Sequence, residues 1–442
     1  MKRYLALVLV LLNYKLLYLF PWVHLEGKFN ITDVTIFLIV LWMVYLLAFR
    51  ADVFFNHYAF LIFALLIVVG FHIPYAMIQY NITLKDAVIA SRVYLLYLSY
   101  FVFLDLFEDK RAAEHFLNGI LVISAVAVLI GLVNYIGPDL LHHRWATLEG
   151  QRMRGGIVRA FFPAFWLILY ASLYAFSRFI NNDRYSHGWL AFWVVSLGAV
   201  LFRQTRMIIG TYGVVAGMNL VRRMGKKRAW LVTGFGAACL LLVVLNLNQL
   251  SIARHMVDKT ENELIQSSGS WGGRVEQLKT TWKLLSRHYL VGSGTSALRT
   301  NIEAYEGLDL ERARELVAYA ANSDLGYAVW LKNFGLFGAF LLMTWVCCIL
   351  RDIRYLRQHV DMPGLIDFAA NYLLYVAISF FTLNHLGKSD GIVLFTSVLA
   401  VLQMMRDQVG ENALQPLPAS ESETAGVDPS RLRPAAQMRL SQ

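Results

Sequence analysis

A chain of 442 residues with 57% hydrophobic and 16% charged residues and a positive mean hydropathy carries more apolar surface than an ordinary soluble core can hide. The net charge of +10 is spread over loops, and no basic stripe is interleaved with aromatics, so membrane topology accounts for it better than nucleic-acid binding. The composition therefore points to an all-α polytopic membrane protein and excludes a soluble enzyme.

In chain order, apolar runs fall at 4–21, 31–48, 54–79, 87–106, 116–137, 157–177, 188–202, 207–221, 229–248, 324–350, 365–384 and 390–405, which makes twelve transmembrane helices. The opening MKRYLALVLVLL has the outline of a signal peptide, but no small-residue cleavage site follows and the run continues to Phe20, so it reads as the first span. Basic residues fill every second connection: Arg50, Lys110 and Arg111, Arg178 and Arg184, RRMGKKR at 222–228, and RDIRYLR at 351–357. With Lys2 and Arg3 on the same side, the positive-inside rule puts both termini in the cytoplasm. Cys239, Cys347 and Cys348 all lie inside apolar runs and suit neither a disulfide framework nor a metal site.

The spans divide the chain into helices one to nine over 1–248, a large outer helical loop over 249–323, helices ten to twelve over 324–406, and a Pro-, Ser- and Glu-rich tail over 407–442 that reads as disordered. Within the outer loop, WGGRVEQLKTTWKLL repeats apolar residues at Val275, Leu278, Trp282 and Leu285. LDLERARELVAYAA does the same at Leu310, Ala313, Leu316, Val317 and Ala320. Both predict amphipathic helices, forming a cap that lies on the membrane.

The outer face is rich in arginine. Spans seven and eight are each about fifteen residues, or about 22 Å of helix against a hydrocarbon core of about 30 Å, so Arg203 and Arg206 between them are expected below the outer surface. Arg152, Arg154 and Arg159 stand at the mouth of span six, Arg274 follows a Gly-rich stretch in the cap, and Arg92 lies inside span four. Charges at such depth face a cavity or a partner, and acidic residues at matching positions are few. Two readings stay open: each arginine snorkels to lipid headgroups, or together they hold an anion, for which a lipid diphosphate suits bidentate guanidinium chemistry.

Asp324, at the start of span ten, is either a helix N-cap or a general base that accepts the proton of a sugar hydroxyl. Lys332 and Asn333, deeper in the same span, are placed to line the same cavity. His288 and His385 read as structural histidines. Nucleotide loops, HExxH and paired cysteines are absent from the sequence, and neither a metal nor a cofactor is expected, since guanidinium groups can take the neutralising role of a divalent ion.

Four segments in this order, RMRGGIVRAFFPAF, RQTRMIIGTYG, GGRVEQLKTTWKLLSRHYLVGSGT and SDLGYAVWLKNFGLFG, resemble the O-antigen ligase and bacterial polysaccharide polymerase superfamily of integral membrane glycosyltransferases, over roughly residues 130–340. The resemblance implies an inverting, metal-independent enzyme of the bacterial inner membrane with its site on the periplasmic side. Its implied partners are an undecaprenyl-diphosphate-linked glycan donor, a glycan or lipid acceptor, the bilayer, and a chain-length regulator protein. The resemblance also implies Asp324, Arg206 and Arg274 as the catalytic groups, with Arg203, Arg206, Arg274, Arg154 and Arg159 on the diphosphate.

Ligase members of the superfamily carry His-Asn where span ten begins. Counting back from Gly335 and Gly338 puts Asp324 and Leu325 there, which favours the polymerase branch for O-antigen or exopolysaccharide; in the turn before it, Tyr289 stands where Pro is common. A ligase acting on lipid A core or another acceptor remains the alternative. A transporter is a further one, against which stand the lack of an internal repeat and the single large cap.

Overall fold

A computed structural model of the chain describes residues 2–18, 31–80, 82–136, 153–154, 157–158, 162–181, 186–202, 207–219, 221–222, 274–275, 278–279, 281–282, 285–286, 288–295 and 325–414. Among them the helices are α1 (Lys2–Asn13), α2 (Ile31–Phe49), α3 (His57–Tyr80), α4 (Leu84–Ser91), α5 (Ser99–Leu106), α6 (Lys110–Ile136), α7 (Phe165–Ile180) and α8 (Ser186–Phe202). They continue with α9 (Met207–Asn219), α10 (Gly326–His359), α11 (Pro363–Ser379) and α12 (Ser389–Leu414). A 3-10 stretch, Arg92–Leu98, joins α4 to α5 into one apolar crossing.

Among the described residues, six crossings are long and apolar enough to span a membrane, and five further apolar helices are shorter. The protein is thus an all-α polytopic membrane protein. The expected ninth span at 229–248, the cap helix around Leu310 to Ala320, and the tail from 415 onward lie outside the described residues.

Local chemistry sets several helix starts. Thr83 Oγ1 accepts the Asp86 amide at 3.2 Å and donates to the Asp86 carboxylate at 2.7 Å, capping α4. Asn56 Oδ1 accepts the Ala59 amide at 2.9 Å ahead of α3, Asp109 Oδ1 accepts the Ala112 amide at 2.6 Å at α6, and Pro363 opens α11.

Span six departs from its expected bounds of 157–177. Ile157 and Val158 form a short strand β2 that pairs antiparallel with β1 (Met153–Arg154), and α7 begins only at Phe165. Pro163 explains the late start, because proline disfavours helix at the residue before it, and Ala164 is turned into the left-handed region at φ 51°. At the other boundaries, α10 runs on to His359 and α12 to Leu414.

The bundle is inside out by soluble standards. Phe37, Leu41, Phe60, Ile67, Val122 and Phe340 are exposed, as lipid-facing residues would be, whereas α7 and α12 are buried along most of their length. Buried polar side chains tie helices together: Ser99 with Thr396 at 2.7 Å, Tyr170 with Ser397 at 2.9 Å, and Asn219 to Asn371 at 2.6 Å.

Ion pairs concentrate at one end of the bundle, where α10 ends and α11 begins. Asp352 lies 2.8 Å from both His57 and Arg406 and 3.4 Å from Arg351. Asp367 takes Arg222, with Arg357 at 3.5 Å, and Arg178 meets Glu114 at 2.8 Å. This is the end to which the basic connections were assigned by sequence.

Candidate functional site

At the opposite end, α10 is broken. Gly335 sits at φ 59°, ψ −150°, a conformation essentially restricted to glycine, so a short half-helix, 326–334, precedes a longer one. Such a break frees backbone amides and carbonyls in an apolar crossing, where each one left unsatisfied costs several kcal/mol.

The turn 288–295 takes them up. Ser293 and Gly294 donate their amides to the carbonyls of Lys332 and Asn333 at 2.7 and 3.2 Å, while Leu336 and Phe337 donate theirs to Tyr289 and Leu290 at 2.8 and 3.1 Å. Two glycines in the turn have positive φ, Gly292 at 77° and Gly294 at 79°. A Cβ on Gly292 would collide with the Asn333 carbonyl, and one on Gly335 would lie 2.6 Å from Tyr289 O and from Gly292 N.

Side chains of α3 and α4 hold the turn. His72 Nε2 donates to Val291 O at 3.0 Å, since a carbonyl can only accept, and the Tyr75 hydroxyl meets His288 Nδ1 at 2.9 Å. Ser91 and Thr295 share a hydroxyl bond at 2.6 Å, Ser293 Oγ donates to Lys332 O at 3.1 Å, and Asn333 Nδ2 donates to Tyr94 OH at 3.1 Å. Two of the four segments singled out in the sequence, one ending in GSGT and the other in GLFG, are thus bonded to each other through their backbones.

Of the residues assigned to the site from sequence, Arg274 is the one whose side chain is among those described. It is helical and half-buried, and its guanidinium pairs with no described residue. Downstream, Leu278–Lys279, Thr281–Trp282 and Leu285–Ser286 are helical as expected, with Thr281 buried and Trp282 exposed. The apolar stripe therefore turns away from the protein at Trp282, as it would in a helix lying on a membrane. Arg154 contributes its backbone to β1; Asp324, Arg203, Arg206, Arg152 and Arg159 lie outside the described residues.

Arg92 corrects an expectation. It donates to Asp33 at 2.8 Å, a partner 59 positions away at the start of α2, so this arginine needs no anion to satisfy it. His288 and His385 each contact described side chains. The His385 ring lies edge-on to Trp166 at 4.5 Å, and burial, reinforced by the Lys388 charge, brings its pKa down to about 3. His72, Ser91 and Tyr94 were not singled out from sequence, and their one available signal was a polar atom near the end of an apolar run.

The interlocked turn and broken helix, with Arg274 upstream, occupy one continuous stretch of sequence similarity. Residues 190–343 match the O-antigen ligase family model. The matched segment begins in α8, contains Arg274 and the 288–295 turn, and ends beyond Gly335 and Gly338 in α10. The match is a likeness to that family over about a third of the chain, in line with the O-antigen ligase and polysaccharide polymerase superfamily that the sequence resembles. No curated protein matches the chain.

Proposed function

We propose that the protein is a polysaccharide polymerase of the bacterial inner membrane that joins undecaprenyl-diphosphate-linked repeat units of an O-antigen or exopolysaccharide on the periplasmic side. The observation that carries this reading is Arg274: a half-buried guanidinium without a described partner, inside the O-antigen ligase segment and upstream of the turn that completes α10. A guanidinium that pairs with no described residue suits a diphosphate, whose oxygens accept bidentate charge-assisted bonds.

In the proposed reaction, Asp324 takes the proton of an acceptor sugar hydroxyl, whose oxygen attacks the anomeric carbon of the donor glycan. The bond from that carbon to the diphosphate oxygen breaks, and the leaving undecaprenyl diphosphate keeps the electron pair. Arg206 and Arg274 stabilise the charge that develops on it, with Arg203, Arg154 and Arg159 gripping the remaining oxygens. Attack opposite the leaving group inverts the anomeric centre, and the guanidinium groups supply the neutralisation without a metal. Ligation to lipid A core shares the donor chemistry. Asp324 in place of the ligase histidine, counted back from the Gly335 break, favours polymerisation.

The test is glycan analysis of a null strain complemented with wild type, Asp324→Ala or Arg274→Ala. Loss of long chains and accumulation of single repeat units on undecaprenyl diphosphate, with product down about 100-fold or more in the variants, is the expected result. Long chains that persist on the carrier lipid would instead mark a ligase, and normal chains in Arg274→Ala would remove the assignment.

A further inference from the structure

Lys332 is 5% exposed and lies on the half-helix ahead of the Gly335 break. Its ammonium makes no hydrogen bond or ion pair with a described residue. Ser293 bonds only its backbone carbonyl, through both the amide at 2.7 Å and the hydroxyl at 3.1 Å. At the other end of the bundle the buried carboxylates of Asp352 and Asp367 are committed to their own cations, and at this end Asp33 is committed to Arg92.

An unpaired buried ammonium in an apolar crossing costs several kcal/mol. A cost of that size is offset when a ligand supplies the counter-charge. Lys332 lies six residues beyond Gly326, about 9 Å along the helix axis from the start of α10. The two bonds from Ser293 fix the backbone from which the side chain springs. Its three N–H donors suit an oxygen-rich anion.

We propose that Lys332 is the buried cation of an oxyanion-binding site at this end of the bundle, taking a phosphate or carboxylate group of the lipid-linked donor. The proposal rests on the donor reading given above and adds a cation that the family resemblance does not assign. Phosphate would come from the carrier diphosphate, and carboxylate from an acidic sugar of the repeat unit.

The experiment uses the full chain in lipid nanodiscs with three probes: undecaprenyl diphosphate, neutral undecaprenol, and glucuronic acid. Lys332→Met and Lys332→Gln remove the charge at similar volume, Lys332→Arg keeps it, and a melting curve of each variant confirms that it folds. The expected result is a loss of about tenfold to 100-fold in affinity for one anionic probe in Met and Gln, retention in Arg, and unchanged undecaprenol binding.

Which anionic probe responds identifies the source of the oxyanion. Equal affinities in wild type and Met for both anionic probes overturn the proposal, as does a matching loss for undecaprenol. Wild-type binding of glucuronic acid that depends on Lys332, with no binding of undecaprenyl diphosphate, leaves the oxyanion site standing and sinks the carrier-lipid reading. Binding of undecaprenyl diphosphate that ignores Lys332 does the reverse.

Discussion

The two ends of the helical bundle are built on different chemistry. Where α10 ends, Asp352, Asp367 and Glu114 are matched to His57, Arg406, Arg222 and Arg178 from other parts of the chain, and carboxylates meet basic side chains. Where α10 begins, the helix is broken and repaired by backbone bonds from the 288–295 turn. Between described residues this second end shows a single ion pair, Arg92 with Asp33, while Lys332 and Arg274 pair with none. Basic residues are thus used twice, once to hold helices together and once to be left available. Availability, rather than number, marks the end at which a ligand is expected.

Removing Asp352 tests the first half of this contrast and should have the largest effect on stability. Its carboxylate is 1% exposed and faces His57, Arg406 and Arg351, so Asp352→Ala takes the carboxylate partner from His57 and Arg406 in a partly buried site. A loss of about 3–5 kcal/mol is expected, read as a lowered melting temperature in detergent, with product falling only in proportion to folded protein. An unchanged melting temperature would show that these pairs are ornaments of the surface.

Gly335→Ala tests the second half at somewhat lower cost. A side chain at φ 59°, ψ −150° is strained by about 1–3 kcal/mol, and its Cβ meets Gly292 N and Tyr289 O at 2.6 Å, pushing the turn off the helix. Product should fall further than folded protein does, the opposite of the Asp352→Ala pattern. Gly210→Ala, at a glycine of α9 whose added Cβ meets nothing within 4 Å, is the control expected to change neither. Equal losses of product and folded protein in Gly335→Ala would mean that the turn only braces the fold.

The spans were legible because an apolar run must match the bilayer thickness, a constraint that acts locally on sequence. The short crossings were legible for the same reason: α8 has 17 residues where about fifteen were expected. The late start of α7 was concealed by the apolar character of Ile157 to Phe162, which hides the effect of Pro163. Gly292, Gly294 and Gly335 could be noticed in sequence as glycines, but nothing local says that the turn of one segment completes the broken helix of the other. The partner of Arg92 was hidden in the same way, 59 positions back. Of the candidate site, that Arg274 and Lys332 pair with no described residue was beyond sequence, because an absent partner leaves no pattern.

The smallest effect concerns acid, and it separates the two ends by pH. His385 stands in the connection between α11 and α12, at the end that carries the turn, and burial with the nearby Lys388 charge keeps it neutral down to about pH 3. In the unfolded chain the same histidine titrates near its ordinary value of about 6.5, so the unfolded state takes up the proton first and stability falls as pH drops below that value. From pH 7 to pH 5 the loss is about 2 kcal/mol, at roughly 1.4 kcal/mol per unit of difference. Melting curves across this range should therefore slope downward in wild type and flatten in His385→Gln, which cannot take the proton. An acid slope that survives His385→Gln would mean that another group, and not this buried imidazole, limits the protein in mild acid.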